Sequence, residues 1–303
     1  MKRDFLTVSD FTREEILHIL DRASEFKRNP SMREALLAGA SVGLLFDKSS
    51  TRTRVSFEVG IHQLGGHSIF LTSGDLQLGR GESIRDTARV LSRYLKTMVI
   101  RTYSHEVVEE FADHAQMPVI NALTDLHHPC QALADLLTVR EKLGTLDGRM
   151  AYVGDGNNVT HSLIQAAGRV GSRLVIACPP DHMPEEEILK AARAECRAPI
   201  ELVREADEAV RGADVIYTDT WVSMGKEAEA EDRETVFRPY QVNSRLVSLA
   251  APSCLVMHCL PAHRGHEITD DVLDGARSVV MDQAENRLHV QKAILEFLLD
   301  HSS

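Results

Sequence analysis

The chain has 303 residues, 43% of them hydrophobic and 26% charged, with a formal net charge of -11. This is globular composition at a length that allows two domains with separate cores, and its acidic balance excludes a nucleic-acid partner, which would require a basic face. No apolar run approaches the length of a membrane span, so no membrane partner is expected, and Met1-Lys2-Arg3-Asp4-Phe5 opens directly into polar sequence, as expected of a cytoplasmic protein. Cys130, Cys178, Cys196, Cys254 and Cys259 are odd in number and form no CxxC pair, which points to reduced thiols.

Residues 7–26 carry Phe11, Ile16, Ile19 and Leu20 near helical spacing, with Thr12 and Glu15 placed as a capping box. Residues 41–46 (SVGLLF) read as a buried strand that empties into Ser50-Thr51-Arg52-Thr53-Arg54 at the start of a helix. Backbone N–H groups and the positive end of the helix dipole make such a junction an anion site, to which the hydroxyls and guanidinium forks add donors. A second strand at 67–71 leads to 73–82, a stretch with three glycines that reads as a mobile loop over a ligand. Ser83 and Asp86 cap the next helix, and the strand 97–100 delivers Arg101 at its C-terminal end. Ligands of open parallel sheets bind outside those ends, so Arg101 and the 50–54 turn are candidates for one pocket. A helix (105–115) and a strand (118–121) precede Asp125-Leu126-His127-His128-Pro129-Cys130-Gln131, where Pro129 suits the first helical position. His128 at that helix start should stay neutral and becomes a hydrogen-bond partner for a carbonyl.

A glycine-marked break at 143–148 places the inter-domain hinge, and strands at 149–153, 173–178, 200–203 and 214–218 then alternate with helices as a second doubly wound unit. Gly154-x-Gly156 is half of a dinucleotide fingerprint; Val159 stands where the third glycine should be, so NAD is poorly supported. The Asn158 amide at that strand mouth could bind a carboxylate or an ammonium group. Residues 219–227 hold the only tryptophan and read equally as a binding loop or as a solvated loop around a packed Trp221. After the strand 254–257, His258-Cys259-Leu260-Pro261 suggests a thiolate or a tight polar contact. Cys254, His258, Cys259 and His263 lie within ten residues, but strand alternation turns them to different faces, so no metal site is assigned. Arg287 stands near the start of a last helix, and His266 has no assigned role.

With these stretches together, the sequence resembles the aspartate/ornithine carbamoyltransferase family from about Phe5 to Leu299. Ser50-Thr51-Arg52-Thr53 and His128-Pro129-Cys130-Gln131 match the family's carbamoyl phosphate motifs. Asp219-x-x-x-Ser223-Met224-Gly225 and His258-Cys259-Leu260-Pro261 match its ornithine branch, whereas the aspartate branch lacks the cysteine and the Ser-Met-Gly loop.

The resemblance implies an α/β protein of two doubly wound parallel-sheet domains: 1–143 for carbamoyl phosphate, 144–284 for ornithine, and a C-terminal helix at 285–303 packing back on the first. It implies a homotrimer in which Gln77 reaches a neighbour's site, and no cofactor or metal. Ser50, Thr51, Arg52, Thr53, Gln77, Arg101, His128, Gln131, Cys259, Leu260 and Arg287 would hold carbamoyl phosphate. Asn158, Asp219, Ser223 and Met224 would hold ornithine, and Arg52, Arg101, His128, Asp219 and Cys259 would carry the chemistry. The implied reaction moves the carbamoyl group to the terminal amine of L-ornithine, giving L-citrulline and phosphate, as in arginine biosynthesis. The alternative acceptor is another amine, such as putrescine or an acylated ornithine.

Overall fold

The computed structural model describes residues 2–29, 35–72, 74, 81–196, 198–222 and 230–300. The chain divides into two compact units, Met1–Leu137 with Glu285–Ser303, and Thr138–Ala284. In the first, helix α1 (Arg13–Arg28) begins at Thr12, whose hydroxyl accepts the Glu15 N–H while the Glu15 carboxylate accepts the Thr12 N–H. The helix buries Ile16, Ile19, Leu20, Ala23 and Phe26. Then follow β1 (Ser41–Phe46), α2 (Thr51–Gln63), β2 (His67–Leu71), α3 (Ile84–Leu91), β3 (Thr97–Arg101), α4 (His105–His114) and β4 (Val119–Leu123). The hydroxyl and arginine run is thus the first turn of α2 itself, capped by Ser50, which accepts the Thr53 N–H.

These strands form a parallel sheet in the order β2-β1-β3-β4. The chain leaves β1 in one direction and β3 in the other, so the switch point lies between them, where Phe46 pairs with Arg101. Leu45, Met98, Ile100, Val108, Phe111 and Val119 share a core beneath α3 and α4. Helix α5 (Pro129–Leu143) starts on the His128 carbonyl, which accepts the Gln131 and Ala132 N–H groups.

The second unit runs β5 (Arg149–Val153), α6 (Asn158–Val170), β6 (Arg173–Ala177), α7 (Glu186–Glu195), β7 (Ile200–Val203), α8 (Ala206–Val210) and β8 (Val215–Thr218). It continues through α9 (Ala230–Phe237), α10 (Ser244–Val247), β9 (Leu255–His258), α11 (Asp270–Leu273) and the start of α12 (Val280–Asp300). The sheet is again parallel, ordered β7-β6-β5-β8-β9, with its switch point between β5 and β8. Alternation along the strands sends Val153, Val175, Ile216 and Val256 to one core and Tyr152, Ile176, Tyr217 and Met257 to the other. Residues 285–300 of α12 pack on α1 and α2 of the first unit. There Arg22 grips Glu296 through Nε (2.6 Å) and Nη2 (2.9 Å), Lys292 donates to Gln63 at 3.0 Å, and Phe11 meets Phe297 edge-on at 5.1 Å.

Candidate functional site

At the first switch point the sequence-predicted residues converge on Arg287, which is buried. Its Nη2 donates to Thr53 Oγ1 at 2.7 Å, its Nη1 donates to Gln131 Oε1 at 2.7 Å, and Nη1 lies 3.3 Å from His128 Nε2. Gln131 is aimed by Asp135, which accepts its Nε2–H at 2.8 Å and so leaves the amide oxygen for the guanidinium. Burial first, then the charges of Arg287 and Arg101, hold His128 well below the ordinary histidine range. The ring is therefore neutral, as its place at a helix start requires. Arg101 ends β3, 7% exposed, and its carbonyl accepts the Asp47 N–H at 2.9 Å. Arg52 and Thr51 stand exposed on the first turn of α2. Two guanidiniums, a hydroxyl and a helix N-terminus around a neutral imidazole suit a phosphorylated dianion beside a polarisable carbonyl.

Lys48 belongs to this neighbourhood although the sequence reading passed over it. It is 4% exposed, ion-paired with Asp125 and 4.4 Å from the centre of the Tyr103 ring. Its signal was a lysine two residues past the end of an apolar strand. Arg54, by contrast, is held on the helix surface by Glu58 at 2.9 Å and stacks over Phe70.

Beside the second switch point Asp219 follows β8 and Cys259 follows β9, directly beyond the register pair Thr218–His258. The Cys259 thiol donates to Asp219 Oδ1 at 2.9 Å, and Asn157 Nδ2 donates to Asp219 Oδ2 at 2.8 Å. Asn157, the neighbour of Asn158, is thus the turn residue in contact with Asp219. It also caps α6, its Oδ1 accepting the Val159 and Thr160 N–H groups at 2.9 and 3.3 Å. Asn158 opens the helix, with its carbonyl accepting the Ser162 hydroxyl at 3.0 Å. A Cβ on Gly156 would lie 2.3 Å from Pro184 N, so this glycine answers to backbone packing and needs no dinucleotide.

Trp221 is packed, 2% exposed and stacked on Phe237 at 5.9 Å, with its carbonyl accepting from Arg233. Gln77, Ser223 and Met224 lie outside the described residues, as does most of the 73–82 loop. Of the donors weighed for a metal, those that converge among the described residues are His258 and Cys259 with Asp219, their ligand atoms within 4.8 Å. Each already has a hydrogen-bond partner: His258 Nδ1 accepts the Leu260 N–H at 2.8 Å and Nε2 meets Glu267 Oε1 at 3.1 Å, while the thiol sits on Asp219.

Two doubly wound sheets, one with guanidiniums, a hydroxyl and a neutral imidazole gathered at its switch point and one with a carboxylate–thiol pair beyond the ends of β8 and β9, define a two-domain α/β group-transfer enzyme. Comparison narrows the class. Residues 3–141 match the carbamoyl-P binding domain model of aspartate/ornithine carbamoyltransferase, and residues 147–298 match its Asp/Orn binding domain model. An ornithine carbamoyltransferase of Syntrophus aciditrophicus is 53% identical over 99% of this chain and 100% of its own. An anabolic ornithine carbamoyltransferase of Pyrococcus furiosus is 53% identical, over 98% of this chain and 96% of its own. Among solved structures, the Pyrococcus furiosus enzyme superposes with a TM-score of 0.93 over 97% of this chain and 96% of its own, at 53% identity. The anabolic enzyme of Campylobacter jejuni also reaches 0.93, at 40% identity and 99% of both chains. The chain belongs to the aspartate/ornithine carbamoyltransferase family.

Proposed function

We propose that the protein transfers the carbamoyl group of carbamoyl phosphate to the terminal amine of L-ornithine, giving L-citrulline and phosphate. The observation that carries this reading is the Cys259–Asp219 pair beyond β8 and β9, because the cysteine marks the ornithine branch of the family. Carbamoyl phosphate, with about two negative charges, is held by Arg52, Arg101, Arg287 and the N-terminal turn of α2. The nucleophile is the uncharged amine; with a lysine-like pKa near 10.4, about one ornithine in a few thousand presents it at pH 7. Asp219 and Cys259 bracket that end of the substrate, while Asn158, Ser223 and Met224 take its backbone end.

Attack on the carbamoyl carbon pushes charge onto the carbonyl oxygen, which the neutral His128 meets as a donor. Loss of such a donor costs on the order of 3 kcal/mol in transition-state stabilisation. Collapse breaks the bond to the phosphate oxygen, and the amine's proton leaves with the phosphate as the monohydrogen dianion. Phosphate is already a competent leaving group, so the residues themselves suffice for the reaction. The anabolic relatives support the direction towards citrulline, as in arginine biosynthesis. No described helix is long and apolar enough to cross a membrane; the polar opening of the sequence supports a cytoplasmic protein, and the family resemblance extends the reading to a homotrimer. The test is citrulline formation from carbamoyl phosphate and ornithine with aspartate and putrescine as parallel acceptors; faster turnover of putrescine would replace the acceptor.

A further inference from the structure

Eight residues beyond Cys259, Glu267 lies fully buried. Its Oε1 accepts from two places on the segment that follows β9: the backbone N–H of His263 and, at 3.1 Å, the Nε2 of His258. Its Oε2 is buried without a hydrogen-bond partner among the described residues. A carboxylate placed so deeply is costly unless it holds something. What it holds is the ring of His258, also fully buried, whose Nδ1 accepts the Leu260 N–H at 2.8 Å.

The two contacts fix the chemistry of that ring. An Nδ1 that accepts from a peptide N–H carries no proton, so the proton sits on Nε2 and points at Glu267. The carboxylate therefore selects the tautomer that can receive Leu260. Leu260 needs such a restraint, because its φ of 59° is the left-handed region that a branched side chain disfavours. The backbone N–H of His258 is pinned as well, donating to Gln283 Oε1 at 2.9 Å. Between the pinned His258 and the restrained Leu260 stands Cys259, whose thiol must reach Asp219.

We propose that Glu267 is a positioning residue for the transfer reaction: through the His258 ring it locks the Cys259–Leu260 backbone so that the thiol stays on Asp219 and the Leu260 peptide keeps one orientation. The proposal rests on the reading that this segment borders the amino-acid substrate. It adds a residue that touches no substrate and that sequence spacing did not single out.

The test compares Glu267→Ala and Glu267→Gln with the wild type in three measurements: steady-state kinetics for each substrate, iodoacetamide alkylation of Cys259 followed by peptide mass spectrometry, and thermal midpoint. In Glu267→Ala we expect Cys259 to alkylate at least tenfold faster and kcat with ornithine to fall at least tenfold. Glu267→Gln, whose amide oxygen can accept the same two hydrogen bonds, should recover most of both. A folded Glu267→Ala with wild-type kinetics and thiol reactivity overturns the proposal. If that variant does not fold, Glu267→Asp, a methylene too short to reach both donors, takes its place with the same expectation. Unfolding of both assigns Glu267 to stability alone and also overturns it. On the wild-type protein, nitrogen NMR should find the His258 proton on Nε2; the opposite tautomer refutes the lock. Cys259→Ala separates the two readings: unchanged ornithine turnover in that variant would remove the segment from the substrate site, while alkylation rates in the Glu267 variants would still report on the lock.

Discussion

The Cys259 thiol and the Asp219 carboxylate meet at 2.9 Å because the residues before them, His258 and Thr218, are paired in register on neighbouring strands. Ladder geometry therefore sets the contact, and the proposed reaction uses at its amino-acid end two side chains that the sheet holds in place. Cys259→Ala leaves one oxygen of a buried carboxylate without its donor. A hydrogen bond to a charged group contributes about 1.5–3 kcal/mol, so kcat/KM for ornithine should fall roughly 10- to 150-fold. Cys259→Ser, which keeps a donor, should lose less. A loss confined to carbamoyl phosphate affinity would mean that the two halves are assigned in reverse.

Arg287 links Thr53, Gln131 and His128 within the first unit. Arg287→Gln removes a charge that would face the phosphate, so the KM for carbamoyl phosphate should rise by a hundredfold or more. It also removes one of the charges that hold the His128 proton off. The acid limb of the kcat–pH profile should therefore move to higher pH in the variant. An unmoved limb with a raised KM would assign Arg287 to binding alone.

Much of this was legible before any coordinates. Period-2 and helical patterns located both parallel sheets, the Thr12–Glu15 and Ser83–Asp86 boxes marked helix starts, and the run 50–54 marked the N-terminal turn of α2. What escaped had a physical reason. Helices α10 and α11 are four residues each, too short for a periodic signal, and the burial of Asp219 and His258 comes from strand pairing far apart in sequence. Lys48 and Glu267 look like ordinary surface charges in the sequence; only the fold places each against a partner, Asp125 for one and His258 for the other.

Three histidines of the first unit, His105, His128 and His289, have values lowered chiefly by burial. An unfolded chain takes up protons at these positions near the ordinary value of 6.5, while the native rings remain neutral to lower pH. The unfolded state then binds more protons, so stability is lost as pH falls below about 6.5, with each ring contributing at most about 1.4 kcal/mol per pH unit. Asp207, Asp271 and Asp274 of the second unit are lowered instead by hydrogen bonds at exposed positions, and they act only in the acid range of carboxylates. Between pH 6.5 and 5, amide hydrogen exchange should therefore quicken in β1–β4 before β5–β9. Equal loss in both sheets would exclude the histidines as its cause.

Asn157 joins two tasks that different substitutions separate. Its Oδ1 caps α6 and its Nδ2 donates to Asp219. Asn157→Asp keeps an oxygen for the cap, where a negative charge also suits the helix dipole, but turns the second contact into carboxylate against carboxylate. Thermal stability should change little, while kcat/KM for ornithine should fall about tenfold or more and recover on acidification as one of the two acids takes up a proton. Asn157→Ala should lose both, with about 1 kcal/mol of stability gone with the cap. If Asn157→Asp turns over ornithine normally at neutral pH, the Asp219 carboxylate does not depend on this donor, and Cys259 alone orients it.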